Sequence, residues 1–133
     1  MKKITLSTIL ATLILTGCAT GGSVERLSQE ARVRDTIPTC SNEKECQNKW
    51  DAAQVWVSNN SGFKIQTSSN AVVETYNSPE GSMDMAMKIV KEPLGGGKNM
   101  IKLTVGCGNW LLGCRRDVFE AMQSFNDYVN SIN

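Results

Sequence analysis

The sequence predicts an α+β fold. The expected form is a two-layer sandwich, a four-stranded antiparallel sheet covered on one face by an N-terminal and a C-terminal helix, in the order α-β-β-β-β-α. Two patterns carry this. Cys46, Trp50, Ala53 and Val57 recur at spacings of four, three and four. Val118, Met122, Phe125, Val129 and Ile132 recur at four, three, four and three, so each set lines one face of a 3.6-residue helix. Between them the apolar period falls to two, the signature of half-buried strands. A sheet with one apolar face needs a cover, and two helices with apolar stripes supply it.

The chain opens on a cationic start, Met1-Lys2-Lys3, followed by an apolar stretch from Ile4 to Leu15 broken only by Thr5, Ser7, Thr8 and Thr12. That stretch falls short of the roughly 20 apolar residues a membrane span requires. Charged start, short apolar run and small residues afterwards predict a secretory signal peptide over residues 1–17. Its last residues, with the one that follows, are Leu15-Thr16-Gly17-Cys18. Here the chain resembles the bacterial lipoproteins, whose signal peptides end in this Leu-small-Gly-Cys lipobox. The resemblance implies cleavage after Gly17, a diacylglycerol thioether on Cys18, and a third acyl chain on the new amino terminus. One acyl chain gives marginal attachment at about 0.8 kcal/mol per buried methylene, so two or three on one residue hold a protein permanently. In Gram-negative lipoproteins an Asp after the lipidated Cys favours retention in the inner membrane. Ala19 stands there, so the resemblance implies the outer membrane, with the folded part in the periplasm. The competing reading is a chance cysteine beside an ordinary signal peptide.

Removal of residues 1–17 leaves 116 residues, enough for one small domain, expected over 40–133, and a tether over 18–39. The remaining 12 basic and 13 acidic side chains nearly cancel. That balance gives no case for nucleic-acid binding or for electrostatic attraction to a membrane. Beyond Cys18 the cysteines are Cys40, Cys46, Cys107 and Cys114. An even number in an exported chain predicts two disulfides. The local pairs Cys40–Cys46 and Cys107–Cys114 close short loops, worth roughly 2–3 kcal/mol each. The rival pairing joins Cys46 to Cys107. Zinc ligands two to four residues apart are not matched, and the chain has no histidine.

Taken in order, Thr20-Gly21-Gly22-Ser23 is expected to be flexible. Val24 to Asp35, with thin apolar spacing at Val24, Leu27 and Ala31, is open between a short helix and an extended segment. Ile37-Pro38 ends it. Ser41 or Asn42 offers an N-cap, with Glu43 and Glu45 placed where the helix dipole favours anions. The helix then runs from about Asn42 to Ser58, stopped by Asn59-Asn60-Ser61-Gly62. Phe63, Ile65 and Thr67 alternate with polar residues, Ser68-Ser69-Asn70 turns the chain, and the run Ala71 to Tyr76 completes a hairpin. Asn77 to Gly81 is a loop. Met83, Met85, Met87 and Ile89 alternate with Asp84, Ala86 and Lys88 in a third strand, and Ile101, Leu103 and Val105 define a fourth. Pro93 to Gly97 turns between them. The loop Cys107 to Cys114 leads to the last helix.

Several motifs invite a chemical reading. Met83-Asp84-Met85-Ala86-Met87 is similar to the methionine motifs of periplasmic copper proteins, and soft thioethers suit Cu(I). On one strand face with Ile89 the same residues read as core. Trp110, Leu111 and Leu112, inside the cysteine-bounded loop, form a possible partner contact, since exposed apolar clusters mark contact sites. The competing expectation is that Trp110 and Leu112 fold back onto the helix and sheet, completing a small core. Gly95-Gly96-Gly97-Lys98 joins two expected strands, so it reads as a turn and not as a phosphate loop. Ser41-x-x-Lys44 and Ser61-x-x-Lys64 match the Ser-x-x-Lys of penicillin-interacting enzymes but lack its companion motifs. Without histidine the usual general base is missing. The spacing Cys40-x5-Cys46 with Trp50 following, and Cys107-Gly-Asn-Trp-Leu-Leu-Gly-Cys114, is similar to small uncharacterised outer-membrane lipoproteins of Gram-negative bacteria, a likeness that carries no activity.

The expectation is a membrane-anchored periplasmic lipoprotein with no cofactor beyond the lipid on Cys18, no catalytic residues, and a binding or envelope-assembly role toward an envelope protein. The alternative is a small-ligand or Cu(I) binder using Met83, Met85 and Met87.

Overall fold

The computed structural model describes residues 21–133. The elements are α1 (Gly21–Asp35), β1 (Thr39–Cys40), α2 (Glu43–Asn60), β2 (Ile65–Ser68), β3 (Val72–Thr75), β4 (Ala86–Gly95), β5 (Lys98–Gly106) and α3 (Val118–Asn130). The class is α+β as expected, with two corrections. Among the described residues there are three helices and not two, and the antiparallel sheet has five strands and not four, in the order β1-β5-β4-β3-β2. The chain order changes accordingly, with a helix and a strand ahead of the first expected helix.

The extra strand is two residues long, too short to show a period. Thr39 pairs with Met100 and Cys40 with Asn99. Just ahead of it, Ile101 N–H donates to the Pro38 carbonyl at 2.9 Å.

The extra helix, α1, takes in Gly21 to Ser23, where flexibility was expected, and settles Val24 to Asp35 as helical. Its apolar Val24 and Leu27 stay exposed. Polar contacts hold its other end to α3. Buried Asn126 donates from Nδ2 to the Val33 carbonyl (2.8 Å) and to Thr36 Oγ1 (3.1 Å), and Asn130 donates to the Thr36 carbonyl (2.8 Å). Nearer the start of both helices, the Arg26 guanidinium lies 5.9 Å from the Phe119 ring centroid. Contacts therefore ascend together along the two helices, which run side by side in the same direction.

In α2 the cap falls to Asn42, whose side chain accepts from Glu45 N–H at 3.0 Å. Glu45 reaches back to accept from Ser41 N–H (2.8 Å) and pairs with Lys49 Nζ (2.8 Å). Lys49 is buried and also donates to the Thr39 carbonyl (2.8 Å). Its bond to Thr39 thus ties α2 to β1 beside the Cys40–Cys46 disulfide, whose Cα atoms stand 5.1 Å apart. Lys49 hydrogen-bonding first, then the Ser41 N–H, holds the Glu45 carboxyl below its ordinary range.

The core gathers Trp50, Ala53, Trp56 and Val57 of α2, Ala121, Phe125 and Val129 of α3, and alternate sheet residues Val73, Met87, Ile89, Ile101 and Leu103. Trp56 and Phe125 meet edge to face, centroids 5.4 Å apart at 77°. Residues of both expected helix stripes therefore join these strand residues in one core. The third strand needs correction: Met83 and Met85 precede β4, which begins at Ala86. The Met85 carbonyl instead accepts from Gly62 N–H (2.9 Å) and Ser61 Oγ (3.1 Å), so the end of α2 occupies the backbone that a strand neighbour would have used.

Candidate functional site

The segment between β5 and α3 carries the most distinctive surface. Cys107 and Cys114 are joined, Cα atoms 5.5 Å apart, closing the loop at its base. Asn109 organises the interior. Its Oδ1 accepts from Leu111 N–H (3.1 Å) and Leu112 N–H (2.7 Å), and its carbonyl accepts from Gly113 N–H (3.1 Å). Gly113 sits at φ +76°, a conformation glycine adopts without strain.

A second turn braces the loop from outside. Gly108 N–H donates to Ser78 Oγ (2.9 Å), the Gly108 carbonyl accepts from Gly81 N–H (2.9 Å), and Asn109 Nδ2 donates to the Gly81 carbonyl (3.1 Å). A Cβ on Gly108 would overlap the Pro79 carbonyl oxygen, so only glycine permits this approach. Past the disulfide, Arg115 N–H bonds the Met83 carbonyl (2.9 Å), and its guanidinium pairs with Asp84 at 3.0 Å. Asp117 then caps α3, accepting from Phe119 N–H (2.9 Å) and Glu120 N–H (3.0 Å).

With the backbone so engaged, the three large side chains at the tip face outward. Trp110 is 85% exposed, Leu111 73% and Leu112 70%. The expectation that Trp110 and Leu112 fold back onto the core is overturned. The cause is local. The loop closes on itself through Asn109 and the disulfide, and too few residues remain to return a side chain to the interior. Cys114 alone reaches the core from here.

The other nominated residues take structural places. Met85 and Met87 belong to the core and Met83 is half-buried, so the three thioethers do not form an exposed row. All four cysteines after Cys18 are paired with one another, which leaves no thiolate for zinc. Gly95, Gly96 and Gly97 all have positive φ and close the β4–β5 turn. Ser41 lends its N–H to Glu45, and Ser61 bonds the chain ahead of β4. Sequence reasoning missed a shallow recess of about 390 Å³ where Ala86 pairs with Gly106, bordered by Glu74, Lys88, Thr104 and Ser78. Two small residues opposite each other on neighbouring strands were the available signal.

Cys18 and residues 1–17 lie outside the described residues. The sequence pattern of the prokaryotic membrane lipoprotein lipid attachment site matches residues 1–19. No curated protein and no solved structure matches the chain. Among the described residues no helix is long and apolar enough to cross a membrane.

Proposed function

We propose that this bacterial lipoprotein, attached to its membrane through lipid on Cys18, is a non-catalytic contact protein of the cell envelope. The observation that carries the reading is the braced display of Trp110, Leu111 and Leu112. Exposed clusters of this kind mark contact sites. A loop backbone already held in place loses little further freedom on binding, which favours affinity. Full burial of such a residue is worth about 1.5–3 kcal/mol. The address we assign is the outer membrane, from Ala19 after Cys18, with the domain in the periplasm. The absence of histidine and the structural employment of Ser41, Ser61 and the cysteines support a role without catalysis.

A photo-crosslinking residue placed at Leu111 in cells tests this, with Asp127, an exposed residue elsewhere, as control. The contact reading expects defined adducts from position 111 and none from 127. Absence of adducts at 111, to protein or to lipid, removes it.

A further inference from the structure

The loop and the start of α1 lie at the same end of the molecule. Because α1 and α3 run in the same direction, the start of α1 stands beside the start of α3. The cysteine-closed loop ends three residues before the α3 cap, Asp117. On the other side, Cys18 is three residues from Gly21, where α1 begins. Three residues of chain reach at most about 11 Å even when fully extended. Gly21 is itself five residues from Arg26, which touches Phe119, and five helical residues rise only about 7.5 Å. Lipid on Cys18 therefore keeps the membrane surface within about 30 Å of the Phe119 ring.

That end is apolar on two elements. Val24 and Leu27, one turn apart on α1, are 63% and 65% exposed, and the loop adds Trp110, Leu111 and Leu112. Trp is the side chain most at home where hydrocarbon meets water. Of the nearby arginines, Arg115 pairs with Asp84, Arg116 with Glu120, and Arg26 lies over the Phe119 ring. Charge therefore supplies little attraction, and apolar burial is the driving force on offer.

Resting on the contact reading above, we infer that the occupant of the Trp110-Leu111-Leu112 tip is the bilayer leaflet that holds the anchor. The tip is a second, non-covalent point of attachment. One point of attachment lets a domain swing about its tether, whereas two fix its orientation. The sheet recess near Ala86 and Gly106 is then held at a constant aspect to the membrane.

The test uses the mature lipidated protein in vesicles of phosphatidylethanolamine and phosphatidylglycerol containing a dibrominated phosphatidylcholine. Trp50 and Trp56 are buried, so the exposed Trp110 reports on its surroundings. The inference expects Trp110 emission to be quenched by the brominated chains and shielded from aqueous iodide. The quenched component should vanish in W110F and should not change between low and high salt. L111D/L112D, at positions exposed in the fold, should keep its far-UV circular dichroism and return Trp110 to iodide. Trp110 open to iodide in vesicles and untouched by the brominated chains overturns the bilayer as occupant. Protein adducts from position 111 in cells would then preserve the contact reading with a protein partner. Loss of quenching at high salt overturns the apolar basis of the inference.

Discussion

Phe125→Ala offers the sharpest test of how α2 and α3 meet the sheet. Phe125 is fully buried, and its ring stands edge to face with Trp56 at 5.4 Å. Removing it subtracts the transfer energy of the ring and leaves a cavity bounded by α2 and the sheet, neither of which collapses easily. Such truncations cost roughly 3–5 kcal/mol, within which the aromatic pair accounts for about 0.5–1.5. A domain of this size has about 5–15 kcal/mol in total, so the loss is a large share. Two residues along the same helix, Asp127 is exposed, and its side chain accepts one bond from Gln123 at 2.8 Å. Asp127→Ala should cost less than about 0.5 kcal/mol. Urea unfolding followed by circular dichroism, with disulfides intact, measures both. Equal losses at the two positions would mean that α3 presents a different face to the core.

Four further outcomes are expected. Non-reducing peptide mapping should recover Cys40 with Cys46 and Cys107 with Cys114, and a peptide joining Cys46 to Cys107 would contradict the described pairing. Gly108→Ala should cost about 1–3 kcal/mol, because its Cβ must displace the Pro79 carbonyl; a neutral result in thermal unfolding would show that the loop and turn are not in contact. The Glu45 carboxyl is held low by Lys49 and then the Ser41 N–H. A depressed folded pKa stabilises above the unfolded value and is lost as pH falls through the folded one. The stability gap between wild type and Glu45→Gln should therefore be full at neutral pH and close in acid, and a gap that widens in acid reverses the assignment. Cys18→Ser should leave the precursor unprocessed and free of metabolic lipid label, whereas an acylated variant would place the lipid elsewhere.

The parts of the fold that bury apolar side chains were legible in advance. The α3 stripe of Val118, Met122, Phe125 and Val129 meets the core, as does the Trp50-Ala53-Val57 face of α2. The N-cap was narrowed to two residues, and the structure takes Asn42. The misses share a cause, which is that they are held by polar groups or by closure and not by a hydrophobic period. The first helix leaves Val24 and Leu27 in solvent and is pinned by Asn126 and Asn130 from more than 90 residues away. Lysine is seldom buried, yet Lys49 is, because Glu45 and the Thr39 carbonyl both accept from it. The methionine run alternates like a strand, but Ser61 and Gly62 take the Met85 carbonyl first. At the candidate site the sequence placed Trp110, Leu111 and Leu112 in the cysteine-closed loop, and the expected return of Trp110 and Leu112 to the core is what the structure overturns. Apolarity alone argues for burial, and the hydrogen bonds of Asn109 that defeat it depend on the folded turn.

Trp110 standing clear of the core is the point on which the function turns, and selective tryptophan oxidation measures it directly. Residues 19–133, exported behind an ordinary cleavable signal peptide so that no lipid is attached, would be treated with limiting N-bromosuccinimide and mapped by mass spectrometry. The structure predicts rapid oxidation at Trp110, with Trp50 and Trp56 protected until the protein unfolds. Protection of Trp110 to the level of Trp50 would contradict the displayed loop and, with it, the contact surface.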